Sequence, residues 1–372
     1  MLRTETATDT DIRPILERRL AGGRLTLEDT ITLLKSNDLL ALGQAADQIR
    51  QQMHPEGRVS FIIDRNINYT NVCVAQCSFC AFRRDVGSPE GYVLPWEVLE
   101  QKCQELVDQG GTQVLLQGGM NPALKLEYYQ ELINRIQTKF PQLTVHGFSP
   151  TEIWYLAKIS KMTVKEVLQE LKAAGLRSIP GGGAEILVDR VRRIISKGKV
   201  STDQWFEVME TARQLGMNVT ATMVYGHIET VEEQALTLIR IRESGDRCGG
   251  YSAFIHWDFQ PDNTPLGLEV RSNPQHRLGD GFDYLRLMAV ARLVLDNVPN
   301  LQVSWVTQGP KLAQVALRFG ANDFGGTMME ENVVSAAGTT YRVTPKDAVA
   351  LIRQAGFTPV QRDTFYNVIR TF

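Results

Sequence analysis

The sequence predicts an α/β chain built on a (β/α)8 barrel, and three observations carry that prediction. Short β-branched runs alternate with amphipathic helical stretches from residue 59 almost to the end. Eight such units can be counted. No antiparallel hairpin signal interrupts them, and parallel strands need helical crossovers. An open doubly wound sheet is the alternative arrangement.

The elements follow in order. Residues 9 to 56 carry apolar positions at helical spacing, as in "LTLEDTITLLKSN", and few strand signals, so residues 1–58 form a helical extension. The strands are "VSFIID" (59–64), "TQVLLQG" (112–118), "LTVHGFS" (143–149) and "LRSIPGGG" (176–183), then "NVTATMVYG" (218–226), "YSAFIHWDFQ" (251–260), "LQVSWV" (301–306) and "ANDFGG" (321–326). Between them Tyr129, Leu132, Ile133, Ile136 and Phe140 share one helical stripe, and similar stripes run through 163–174, 203–215, 231–245, 281–297 and 310–319. The barrel therefore spans 59–335. Residues 336–372 form a short extension with one helix, Pro345 near its first turn and Gly356 past its end.

Composition narrows the function. The chain has 372 residues, with 40 Lys plus Arg against 42 Asp plus Glu and a net charge of −2. That balance offers no field for nucleic acid or an anionic membrane and points to a small-molecule partner. The start has no apolar h-region and no window resembles a membrane span, so a cytosolic location is expected. In a reducing compartment clustered cysteines read as metal ligands or reactive thiols rather than disulfides.

Three of the five cysteines, Cys73, Cys77 and Cys80, fall in "CVAQCSFC" directly after the first strand, at the barrel face where such enzymes keep their chemistry. Structural zinc normally takes four ligands, and the loop holds no fourth cysteine or histidine. A four-iron cluster has four metal corners. Three ligands leave one iron open to chelate an amine and a carboxylate and to pass an electron to them. A zinc-stabilised barrel that binds a metabolite is the non-enzymatic alternative. Cys103, on the stripe of Leu99 and Leu106, and Cys248 read as core.

The CxxxCxxC pattern, with Phe79 before its last cysteine, resembles the radical S-adenosylmethionine (radical SAM) superfamily, whose members use TIM-type barrels. "DRNINYTNVCVAQCSFCAF", "LQGGMNP", "PGGGAEIL", "TATMVYGHIET", "FQPDNTPLG" and "GANDFGGTMMEENVVSAAG" are similar to the branch that serves the futalosine route to menaquinone and the deazaflavin coenzyme. Within it they resemble the cyclases of dehypoxanthine futalosine more than aminofutalosine synthase or the deazaflavin synthase subunit. The resemblance implies a 4Fe-4S cluster on the three cysteines, S-adenosyl-L-methionine as cofactor, and an electron donor such as flavodoxin or ferredoxin. It also implies a 5′-deoxyadenosyl radical that takes the ribose C4′ hydrogen of dehypoxanthine futalosine, after which the carbon radical attacks the benzoate ring. Phe79, Gln117, Gly118 and Gly119 are implied cofactor contacts, although Met120 stands where the superfamily usually has a Glu after its Gly-Gly. Glu185 and Arg190 are further cofactor candidates, with a helix-dipole acid and a solvated helix face as their plainer readings.

Such a cyclisation ends with a proton to be lost. Alternation sends His256, Asp258 and Gln260 to one face of the sixth strand and Trp257 and Phe259 to the other. If the polar face points into the barrel, His256 or Asp258 accepts the proton or binds the ribose. Tyr225, His227, Glu229, Trp257, Gln260, Asn322 and Asp323 are the candidate substrate contacts. Asn322 and Asp323 are placed with Glu330 and Glu331 at the end of the eighth strand. Arg83 and Arg84 are candidates for a substrate carboxylate or for surface ion pairs.

Overall fold

A computed structural model describes residues 10–372. Its strands are β1 (Arg58–Ile62), β2 (Asp64–Asn68), β3 (Gln76–Cys77), β4 (Gln113–Gln117), β5 (Thr144–Gly147), β6 (Ser178–Ile179) and β7 (Ser196–Lys197). They continue with β8 (Asn218–Tyr225), β9 (Ala253–Asp258), β10 (Asn300–Gln302), β11 (Asp323–Gly326), β12 (Thr358–Arg362) and β13 (Val368–Thr371). The main sheet runs β2, β4, β5, β6, β8, β9, β10, β11, β1, all parallel.

Only Ile63 separates β1 from β2, so the two ends of that order meet in one kinked strand. Thr112 N donates to Ile63 O (3.1 Å) from one side and Thr327 N to Ile62 O (3.0 Å) from the other. The sheet is thus curled into a barrel of eight strands at the predicted places, the first running four residues further than expected and the seventh ending at Gln302, with its expected second half turned into the helix Trp305–Gln308. Its helices pack outside on a continuous apolar core.

The expectation of no antiparallel pairing is corrected at two places. β12 pairs parallel with β1 and then antiparallel with β13, and β3 pairs antiparallel with β7. The C-terminal pair escapes sequence reading because Pro359 and the polar run Gln361 to Thr364 mask its strand pattern. It lies at the N-terminal ends of the barrel strands, where Gln361 Nε2 donates to Gly110 O. Cys248 is the last residue of the helix Val231–Cys248 and only partly buried, whereas Cys103 is fully buried. The helix Pro345–Gln354 has its proline at the start and Gly356 just beyond its end at φ +82°, as predicted.

The N-terminal helices Arg13–Leu20, Leu27–Lys35 and Leu39–Met53 belong to the same core, the third lying along the helix Gly281–Val294. Arg292 on that helix is wholly buried and carries its charge into carbonyls: it donates to Gly320 O (2.7 Å), Pro299 O (3.1 Å) and Asn322 Oδ1 (2.7 Å). Such neutral acceptors are the minimum needed to keep a buried guanidinium.

Candidate active site

The pleat decides what faces inward. From β2 the inward residues are Asp64, Asn66 and Asn68, from β4 Gln113, Leu115 and Gln117, and from β9 Ile255 and Trp257. They line two adjoining cavities. The upper, of about 280 Å3, lies at the C-terminal ends of the strands and is lined by Cys73, Cys77, Cys80, Phe79, Gly118, Gly119, Glu185 and Lys199. The lower, of about 230 Å3, is lined by Asp64, Asn66, Gln113, His146, Thr220 and Ser304 and floored by Arg362 and Tyr366. Gln117, Gly182, Thr222, Trp257, Val333 and Val334 border both.

The cysteine loop is pinned by backbone bonds. Cys73 N donates to Arg84 O (3.0 Å), Val74 N to Met120 O (3.1 Å) and Ser78 N to Ile195 O (2.9 Å), while β3 pairs with β7. All three thiols are free. Burial pushes the Cys77 thiol up to about 12 against the pull of Lys199, so thiolates there call for a neighbouring cation. Among the described residues no trio of His, Cys, Asp or Glu is drawn around a single ion; the sulfurs instead line a cavity wall.

The second βα turn is equally constrained. A Cβ on Gly119 would lie 2.2 Å from Val72 O, so only glycine lets this turn pass beneath the loop. Glu152 ties the turn down: it accepts from Gly118 N (3.1 Å), Tyr69 Oη (2.5 Å) and Ser149 N (2.7 Å), closing a capping box on the helix Pro150–Ser160. In the upper cavity Thr151 Oγ1 is buried without a partner. Glu185 sits at φ +43°, buried, with Lys199 Nζ at 2.8 Å and Arg192 at 3.5 Å. These two cations hold its carboxyl below the usual range despite burial. It precedes the helix Asp189–Ile195 by several residues and is not that helix's dipole acid.

Of the predicted contacts, the structure brings Phe79, Gln117, Gly118, Gly119, Glu185, Trp257 and Gln260 to the cavities. Arg190 is not among them. It pairs with Glu233 (2.5 Å) on the outer face of the barrel.

His256 and Asp258 are also turned away, because the face that points inward is that of Ile255 and Trp257. His256 is buried against Tyr284, with Nε2 3.2 Å from Tyr284 O, and burial takes its imidazole down to about 4. Asp258, pushed up to about 6 by burial, accepts from Gln308 behind the barrel wall. Tyr225, His227 and Glu229 border a separate outer cavity; His227 Nδ1 lies 2.9 Å from Glu229, and although burial opposes it, His227 holds that carboxyl at about 2.

Asn322 and Asp323 sit at the start of β11, not its end. Asn322 serves Arg292 and the Leu301 amide, and Asp323 meets Arg362 (2.5 Å), Tyr366 and Ser60. Arg83 borders the upper cavity but pairs with Asp85, and Arg84 pairs with Glu90.

Sequence reasoning missed Lys199, Glu152, Thr151, Asp64, Asn66 and His146. Period-two polarity in "DRNIN" and the capping-box spacing of "SPTE" were the available signals; Lys199 had none.

A barrel with three free thiols over its C-terminal mouth and a second cavity beneath, with Asp64, Asn66, Gln113 and His146 in its wall, defines the class, and the model of the radical SAM superfamily matches residues 67–239. The CofH/MqnC C-terminal region matches residues 248–371. The chain is 49% identical to the cyclic dehypoxanthine futalosine synthase of Halalkalibacterium halodurans, over 96% of this chain and 95% of that one. It is 43% identical to that of Streptomyces coelicolor, over 96% and 88%. It is 38% identical to the aminodeoxyfutalosine synthase of Thermus thermophilus, over 98% and 97%. The solved methylornithine synthase superposes with a TM-score of 0.72 at 20% identity, covering 93% of this chain and 97% of that one, and shows the fold. This chain therefore belongs to the CofH/MqnC family of radical SAM enzymes. Among the described residues no helix is long and apolar enough to cross a membrane.

Proposed function

We propose that this enzyme is a radical SAM cyclase that converts dehypoxanthine futalosine to its cyclic form. The observation that carries the reading is adjacency: the thiol-lined cavity and the chamber beneath it share Gln117, Gly182 and Trp257 as wall residues. Hydrogen transfer between two bound molecules requires such adjacency. The 49% identity across nearly the whole chain supports the cyclase over its sisters.

The residues of the upper cavity fit the family's cofactors. Three thiols line its wall, an unpartnered Thr151 hydroxyl lies in it, and the Gly118–Gly119 turn borders it. Cys73, Cys77 and Cys80 would hold the 4Fe-4S cluster, with Glu185 and Thr151 as contacts for S-adenosylmethionine. When bound, this pair supplies a 5′-deoxyadenosyl radical, the electron coming from a flavodoxin or ferredoxin. The chain's own task is positioning and exclusion of water. Thr222 and Gln117, at the junction, are placed to orient the substrate ribose beneath the cofactor. Trp257 offers a flat apolar wall there, and the segment around Val333 and Val334 closes one side of both cavities. Below, Asn66, Gln113 and Thr220 offer hydrogen bonds to a ligand rich in hydroxyls.

Reconstituted, reduced enzyme incubated separately with dehypoxanthine futalosine and with the enol ether substrate of aminofutalosine synthase tests the reading. Free 5′-deoxyadenosine with the first substrate alone is expected. An adenosyl adduct formed from the second would refute it.

A further inference from the structure

His256 and Asp258 face away from the chamber, so the proton lost in cyclisation needs another destination. Among the described residues three carboxyl or imidazole groups border the lower cavity: Asp64, Glu331 and His146. Glu331 spends both oxygens on the amides of Val333, Val334 and Ser335, at 2.8 to 3.0 Å. His146 is bonded through Nδ1 to Ser178 Oγ (2.7 Å), and burial takes its imidazole down to about 3, too weak a base for neutral pH. Asp64 is different. Its Oδ1 accepts from the Met328 amide (2.9 Å) and its Oδ2 has only Gln113 Nε2 at 3.3 Å. Beside it Asn66 Oδ1 is buried and unpartnered in the same chamber wall.

We propose that the Asp64 carboxylate is a catalytic residue that accepts the proton released when the attacked ring regains aromaticity. The inference rests on the cyclase reading above. In this step the ring C–H bond breaks and its proton passes to Asp64. The bonding pair remains with the ring, and the one surplus electron leaves to an oxidised iron–sulfur centre as acceptor, which balances the conversion. The groups facing Asp64 are Arg362 from β12, Asp323 from β11, Gln113 from β4 and the Met328 amide. Burial is the largest influence and places the carboxyl at about 6, close to a neutral working pH. Gly326 packs against the carboxylate, where a Cβ would lie 2.3 Å from Oδ1, so the group has little freedom to turn away.

The test compares the full-length, cluster-loaded wild type with Asp64→Asn and Asp64→Glu, given S-adenosylmethionine, reductant and dehypoxanthine futalosine. Cyclic product and 5′-deoxyadenosine are quantified together from about pH 5 to pH 8. In Asp64→Asn, 5′-deoxyadenosine persists while product per 5′-deoxyadenosine falls on the order of 10²-fold, and Asp64→Glu recovers part of it. In the wild type that ratio drops as pH falls through about 6, and in Asp64→Asn it is flat. An unchanged ratio in Asp64→Asn, or a flat wild-type profile, overturns the proposal. Should Asp64→Asn fail to fold, the wild-type profile still decides. A wild type that forms neither compound from this substrate refutes the cyclase reading, and the proposal with it.

Discussion

Gly119→Ala tests the coupling between the second βα turn and the cysteine loop. A methyl carbon there would stand 2.2 Å from the Val72 carbonyl oxygen and 2.8 Å from Cys73 Cβ. Ordinary carbon–oxygen contacts begin near about 3.3 Å, so the Val72–Cys73 backbone must retreat by roughly 1 Å. It is held where it is by the Cys73 N to Arg84 O and Val74 N to Met120 O bonds. Overpacking of this kind costs about 1–3 kcal/mol against a domain stability of about 5–15 kcal/mol, so the barrel survives. The thiol of Cys73 moves with its backbone, and a ligand displaced by more than about 0.5 Å leaves its working geometry. The variant is expected to melt a few degrees lower, with unchanged far-ultraviolet dichroism, and to retain only a small fraction of the wild-type iron after anaerobic reconstitution. Iron per chain equal to wild type, with normal cofactor cleavage, would refute the steric argument.

Cys77→Ala should abolish S-adenosylmethionine cleavage while leaving the thermal transition intact; cleavage at the wild-type rate contradicts the ligand assignment. His256→Phe should leave product per 5′-deoxyadenosine unchanged, because the side chain lies behind the barrel wall; loss of coupling would restore it to the site. The same residue predicts acid sensitivity. Its imidazole is lowered from 6.5 to about 4, so the folded state resists a proton that the unfolded chain accepts. Stability is fully present above pH 6.5 and is lost as pH falls toward 4, by about 2 kcal/mol between pH 7 and pH 5. Because His146, Asp64 and Asp258 also titrate in this window and are common to both proteins, denaturant titrations at both values should show the change from pH 7 to pH 5 to be less favourable in the wild type than in His256→Phe by about 2 kcal/mol. Glu152→Ala, which orphans the donors of Tyr69, Gly118 and Ser149, should cost about 3–5 kcal/mol in the same titrations. A cost below about 1 kcal/mol would show that water replaces the carboxylate.

The barrel was legible because its parallel strands, covered by helices, read as short apolar runs separated by helical stripes. Legibility failed where polarity and burial part company. The predicted first strand stops at Asp64, yet Asn66 and Asn68 continue it, and the polar side chains of all three line the interior. The C-terminal hairpin was hidden in the same way, since Arg362 and Tyr366 are polar residues that floor a cavity. The opposite error fell on β9: His256 and Asp258 carry chemistry-capable side chains, but the pleat gives the interior to Ile255 and Trp257. The local cysteine spacing was sufficient to find the loop itself, whereas Lys199 reaches Glu185 through a turn that no periodicity marks.

The fate of one hydrogen tests the cyclase reading most directly. With dehypoxanthine futalosine deuterated at the ribose C4′ position, the label should appear in 5′-deoxyadenosine and be absent from the cyclised product. Unlabelled 5′-deoxyadenosine, or label retained in a product that carries the adenosyl group, would contradict it.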